Sequence, residues 1–127
     1  MILEEWLYTR ITSSTSITQY TTAVYPDFIP LNKIPPAVTY KSVGFNRNIN
    51  ERNSVMSITM YRNSKSEIEA INDAMYTLFD TSTAYIKETS SSLSIDSVEI
   101  INNSVSGFDD TNKYWFRVLD ISVWYHK

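Results

Sequence analysis

Cysteine is absent from the chain, so no disulfide framework, thiolate metal site or thiol nucleophile can be written anywhere in it. Glycine is almost as scarce. The two that occur, Gly44 and Gly107, cannot build a glycine-rich phosphate cradle of the P-loop or dinucleotide-binding kind. A single histidine, His126, removes the common zinc constellations and leaves little scope for a Ser-His-Asp triad, and no serine stands in Gly-x-Ser-x-Gly. No apolar run approaches the ~20 residues that cross a bilayer. Glu4 and Glu5 sit where a secretory leader carries positive charge, so the expectation is a soluble product of a cytoplasm. A net charge of −3 argues against broad electrostatic capture of nucleic acid or of an anionic membrane surface. Nothing in this inventory implies a cofactor, and the expectation is a protein that is not an enzyme.

What the chain does have is serine, threonine, asparagine and tyrosine, a mix suited to strands, turns and hydrogen-bonding contact surfaces. Its 127 residues make one domain, 1–127, with a core of its own. Residues 2–12 place Leu3, Trp6, Leu7 and Ile11 on one helical stripe, and the tract 13–22 offers no stripe. Val24-Tyr25-Pro26, Ile29-Pro30 and Pro35-Pro36 then punctuate an extended connector. A first strand is predicted over 37–45 and a second over 54–61, with Met56, Ile58 and Met60 on one face and a polar hairpin tip between them. Ser64-Lys65-Ser66-Glu67 fits a capping box, from which Ile68, Ile71, Met75, Leu78 and Phe79 run on at three- and four-residue steps as a second helix. Residues 80–94 read as a partly mobile connection anchored by Tyr85 and Ile86; 94–101 read as a third strand, and 102–112 as a turn.

The chain closes on 113–125, a long strand holding two of the three tryptophans. Trp115, Leu119, Ile121, Val123 and Tyr125 point one way, and Tyr114, Phe116, Val118 and Trp124 the other. Both faces therefore call for cover, and at roughly 40 Å the strand exceeds what two helices of a small domain shield. A neighbouring subunit is the expected remainder. The fold predicted is α+β, a mixed, mostly antiparallel four-stranded sheet with two helices packed on one face, in the order helix, hairpin, helix, hairpin.

The acids have ordinary readings. Glu4 and Glu5 suit the first turn of a helix, Glu67 the cap, and Asp109-Asp110 a turn beside Gly107 rather than a metal cage. Asp120, an acid within an apolar strand, is expected to pair with Arg117 or to make a polar contact at an interface. His126 lies one residue from the C-terminus, where a general base is poorly held. Asn102-Asn103-Ser104 matches a glycosylation sequon, and since no leader is expected the match is expected to be accidental. Arg47 and Arg52, with Asn48 and Asn50 between them, form a hairpin arm suited to a neighbouring subunit or a passing polyanion.

Val24-Tyr25-Pro26, then Ile34-Pro35-Pro36-Ala37-Val38-Thr39-Tyr40, a strand ending Met60-Tyr61, a capped helix and a final aromatic strand together resemble the tail terminator and tail-to-head joining proteins of long-tailed bacteriophages. The resemblance spans nearly the whole chain. It implies a small α/β fold without catalysis that assembles as a ring, typically hexameric, at the head-proximal end of the tail tube, ending tube growth and joining tail to head. It also implies a place in the virion, the tail tube protein and head connector as partners, and DNA only as passing cargo, with no membrane. The family's inter-strand hairpin corresponds to 45–53 and its last strand to 114–125. One departure is the connection after the second helix, where Thr81-Ser82-Thr83-Ala84-Tyr85 stands in place of a glycine often found in the family. The interface residues this suggests are Tyr25, Trp115, Arg117 and Trp124 together with the arm. Another connector or neck protein, a stopper or head completion protein, is the alternative within the same class. A peptide- or carbohydrate-binding domain with stacking aromatics is the alternative outside it.

Overall fold

The apolar alternation of the strands and the two helical stripes resolve into one layer of helices on one face of a single sheet. The structure, a computed structural model, describes residues 3–31, 33, 36–47, 52–80, 88–90 and 93–126, with backbone alone at 44–47 and 88–90. In chain order the elements are α1 (Leu3–Thr12), α2 (Thr15–Thr18), β1 (Val24–Pro26), β2 (Ala37–Arg47), β3 (Arg52–Arg62), α3 (Lys65–Phe79), β4 (Glu88–Ser90), β5 (Leu93–Asn103), β6 (Gly107–Asp109) and β7 (Tyr114–His126). The strands lie in the order β1-β2-β3-β7-β5-β4, and β6 pairs with β7 in the lane that β5 leaves free. The β1–β2 pairing is parallel and the other pairings are antiparallel.

The α+β class, the mixed and mostly antiparallel sheet and the helices on one face agree with the expectation. The counts do not: the sheet has seven strands instead of four, and there is a third, short helix. The four expected strands are the long ones, β2, β3, β5 and β7. The three others are three residues each, too short to show an alternation. β1 forms where Val24, Tyr25 and Pro26 run beside Val38, Thr39 and Tyr40; Pro26 is tolerated because β1 is an edge strand. β6 falls inside the expected turn 102–112, where Gly107 lies opposite Phe116. A Cβ at Gly107 would come 2.7 Å from the tip of the Phe116 ring, so the glycine lets the ring lie against the backbone. α2 arises because Ile17 is fully buried and anchors a single turn in the otherwise polar tract.

The expected stripes are the observed core. Leu3, Trp6, Leu7 and Ile11 of α1 are buried, as are Ile68, Ile71, Met75 and Phe79 of α3; Leu78 packs at the margin. They meet Met56, Ile58 and Met60 of β3 and Leu119, Ile121, Val123 and Tyr125 of β7. In β5 the inward residues are Leu93, Ile95, Val98 and Ile100; the register shift between Ile95 and Ser97 brings the three-residue step from Ile95 to Val98 onto one face, and a second shift follows between Ile100 and Asn102.

Two local expectations change. The hairpin tip is shorter than the expected 46–53, because β2 and β3 stay paired out to Arg47 opposite Arg52, and β3 is in turn paired with β7 as far as Arg52 opposite Tyr125. Asn48 and Asn50 lie outside the described residues, as does most of the connection expected to be mobile, including Tyr85 and Ile86. The capping box is not closed either. Ser64 is the N-cap residue, but its hydroxyl bonds that of Ser66 at 3.0 Å, while Glu67 accepts from the Arg62 guanidinium. A charged donor outcompetes a neutral backbone N–H for the carboxylate. The Arg62 bond, with its ion pairing, holds the Glu67 carboxyl below its ordinary range.

Candidate functional site

β7 lies in the middle of the sheet, so its two faces have different fates. The odd-numbered side chains face the helices. The even-numbered side chains Tyr114, Phe116, Val118, Asp120 and Trp124 are half-buried, Ser122 among them is buried, and all lie on the face that none of the described helices covers. Their register neighbours on β3 are Tyr61, Thr59, Ser57, Val55 and Asn53, which leaves Phe116, Val118 and Trp124 of β7 and Val55 of β3 as apolar groups on an otherwise polar and aromatic plane. Tyr61 and Tyr114 meet edge to face at 5.3 Å.

This division separates the expected interface residues. Trp124 is on the helix-free face, opposite Asn53 on one side and Ser97 on the other. Trp115 is on the helix side, where Lys65 Nζ stands 5.4 Å from its ring centre and Phe108 packs at 5.1 Å. Arg117 is also on the helix side: its Nη1 donates to Glu69 Oε2 of α3, and Glu69 Oε1 accepts from the Ser106 hydroxyl. Asp120 therefore cannot pair with Arg117, because the two point to opposite faces; its Oδ2 accepts from Asn102 Nδ2 at 3.2 Å. Tyr25 is half-buried on the edge strand β1, opposite Thr39. Arg47 and Arg52 face each other as the last pair of the β2–β3 ladder.

Three further exposed apolar side chains were not read from the sequence. Phe28 and Leu31, in the segment after β1, are 69% and 105% exposed, and Val43, beyond the reach of β1 on β2, is 52% exposed. Asp27, in the left-handed conformation (φ 64°), starts this segment and bonds the carbonyl of Tyr40 through its N–H at 2.8 Å. From Lys41 to Arg47 the outer edge of β2 has no strand partner among the described residues. Unpaired edges of this kind are templates for another chain.

The acids take structural roles. Asp109 Oδ1 accepts from the backbone N–H groups of Thr111 (2.9 Å) and Asn112 (3.1 Å), and Oδ2 from Asn112 Nδ2 (3.0 Å), which closes the β6–β7 turn. The Asn112 side chain foremost, then the backbone donors, hold the Asp109 carboxyl below its ordinary value of 3.8. Its contribution to the turn is therefore in place above pH 3.8 and is lost as acid titrates the folded group. A carboxyl-detected NMR titration should give Asp109 a midpoint below 3.8; a midpoint at or above it contradicts the assignment. His126 Nδ1 lies 2.9 Å from Asp96 Oδ2, tying the end of β7 to β5. Among the described residues no cluster of three or more His, Asp or Glu is arranged to hold a metal ion, and no helix is long and apolar enough to cross a membrane.

The sequence matches no protein-family model and no curated protein. Among solved structures the fold is similar to that of a chain in the structure titled "Virion of native gene transfer agent (GTA) particle", with a TM-score of 0.68 over 98% of this chain and 95% of that chain. The two sequences are 10% identical, so what they share is a fold carried over nearly the full length of both.

Proposed function

We propose that the chain is a structural virion protein whose copies close into a hexameric ring at the head-proximal end of a tail tube, ending tube growth and joining tail to head. The observation that carries this reading is the shared fold with a chain of the gene transfer agent virion along 98% of the sequence. The distribution of apolar surface supports it. A ring needs a heterologous contact, in which one patch meets a different patch on the next copy. The helix-free face with Phe116, Val118 and Trp124 supplies one patch, and the outer edge of β2 with Phe28, Leu31 and Val43 supplies the other. Tail tube and head connector proteins are the partners of the finished ring, DNA passes through it, and no chemistry is performed.

The test is to add the purified protein to tail tubes polymerising in vitro and to image them by negative-stain microscopy. Tubes of limited length, each capped at one end by a ring, are expected. Tubes that grow on with bare ends contradict the terminator role, and rings seated on head connectors alone assign the chain to the stopper or head-completion class instead.

A further inference from the structure

Both outer long strands of the sheet keep an open side. β1 pairs with β2 only at 38–40 and β4 with β5 only at 93–95, so among the described residues the outer edges of 41–47 and 96–103 have no strand partner. Lys41, Ser42 and Val43 are exposed in succession, and so are Ile101 and Asn102, with Glu99 exposed just before them. Exposure of consecutive residues leaves neither face of a strand covered. Charge tells the two edges apart: 41–47 holds two bases and no acid, and 96–103 two acids and no base.

The ladders fix the height of each edge residue. Lys41 is in one row with Ser57, Asp120 and Asn102, and Gly44 in another with Val55, Ser122 and Glu99. Val43 and Ile101 fall between these rows, each the unpaired residue of a register shift, so an exposed aliphatic stands at nearly the same height on either side of the sheet. β2 and β5 run in opposite directions, because three antiparallel pairings separate them. A rotation that closes a ring carries no displacement along its axis. With the strands along that axis, it brings the β5 edge of one copy antiparallel to the β2 edge of the next, with Val43 beside Ile101, Lys41 beside Asn102 and the Arg47 end of β2 beside Asp96. Pairing β2 with β2, or β5 with β5, would set like charges against each other. We infer that the β2 edge of one copy and the β5 edge of the next form an antiparallel ladder that continues the sheet from copy to copy. The inference rests on the ring reading and deepens it, adding a strand pairing to the contact that the helix-free face makes.

Because the chain has no cysteine, introduced thiols report only the contact in which they are placed, and a disulfide forms only where two Cα atoms come within about 7 Å. Val43→Cys and Ile101→Cys change exposed side chains of the full chain. On mild oxidation each variant alone is expected to give no cross-link, their equimolar mixture a linked dimer, and the double variant a ladder of linked copies. Lys41→Cys should link to Asn102→Cys and not to Glu99→Cys, the partner that a parallel pairing with Val43 beside Ile101 would give it. A disulfide in V43C alone, a link from Lys41→Cys to Glu99→Cys in place of Asn102→Cys, or no product in a mixture that sedimentation shows to be oligomeric overturns the ladder and leaves the ring reading standing. No product in a mixture that stays monomeric overturns both.

Discussion

Replacing Phe79 with alanine is expected to remove about 3–5 kcal/mol of folding stability, the range for deleting a large aromatic side chain from a packed interior. Phe79 is fully buried at the end of α3 and meets Trp6 of α1 edge to face, with ring centres 6.4 Å apart. It joins the two long helices to each other as well as to the sheet, so its loss opens a cavity where three elements converge. Against a total of roughly 5–15 kcal/mol for an ordinary domain, this is a large fraction, and it should lower the melting temperature by at least about 10 °C. Phe28→Ala is the contrast: its ring is exposed and its removal should change stability by less than about 0.5 kcal/mol. Urea unfolding of both variants checks the pair. Similar losses for the two would mean that the core is not where the burial pattern puts it.

The second large effect concerns association. Val118→Glu places a charge on the helix-free face of β7, beside Thr59, without touching the backbone bonds that Val118 makes with Ser104. The isolated chain should fold with a stability change within about 1 kcal/mol, because the side chain faces away from the core. If this face is covered by a neighbouring copy, the buried and unpaired carboxylate should weaken self-association by about 3 kcal/mol or more, on the order of 100-fold in dissociation constant. Sedimentation across a concentration series measures it, with circular dichroism as the check on folding. Undiminished assembly of a folded V118E chain would remove this face from the interface.

Where one periodicity ran unbroken for two or more turns or for six or more residues, the sequence was legible. The stripes of α1 and α3 and the Met56, Ile58 and Met60 face of β3 are of this kind, since a single burying partner imposes a single period. β5 was legible as a strand but not as to face, because its two register shifts break the alternation. β1, β4 and β6 owe their state to the long strands they lie beside, a tertiary cause that three residues cannot signal. The capping box failed for a related reason: its glutamate had a better partner in Arg62, five residues upstream.

The candidate surfaces were legible in part. Alternation along 113–125 separated Trp124 from Trp115, but the sequence could not say which face the helices would take, and so Trp115 and Arg117 were grouped with the interface. Asn72 carried a readable signal that went unused. It stands four residues after Ile68 and three before Met75, a polar side chain on a buried helical stripe, and such a residue needs a partner. Asn103 and Arg117, which line a groove with it, come from strands more than 30 residues downstream, which spacing along the chain does not disclose.

The central claim is that the apolar helix-free face and the open β2 edge are covered by other copies of the same chain. Sedimentation velocity on the purified protein, from low to high concentration, tests it most directly. The ring reading predicts one dominant species with the mass of a closed oligomer, six copies, growing at the expense of the monomer as concentration rises. A single monomeric species throughout, still present when tail tubes are added, would contradict it.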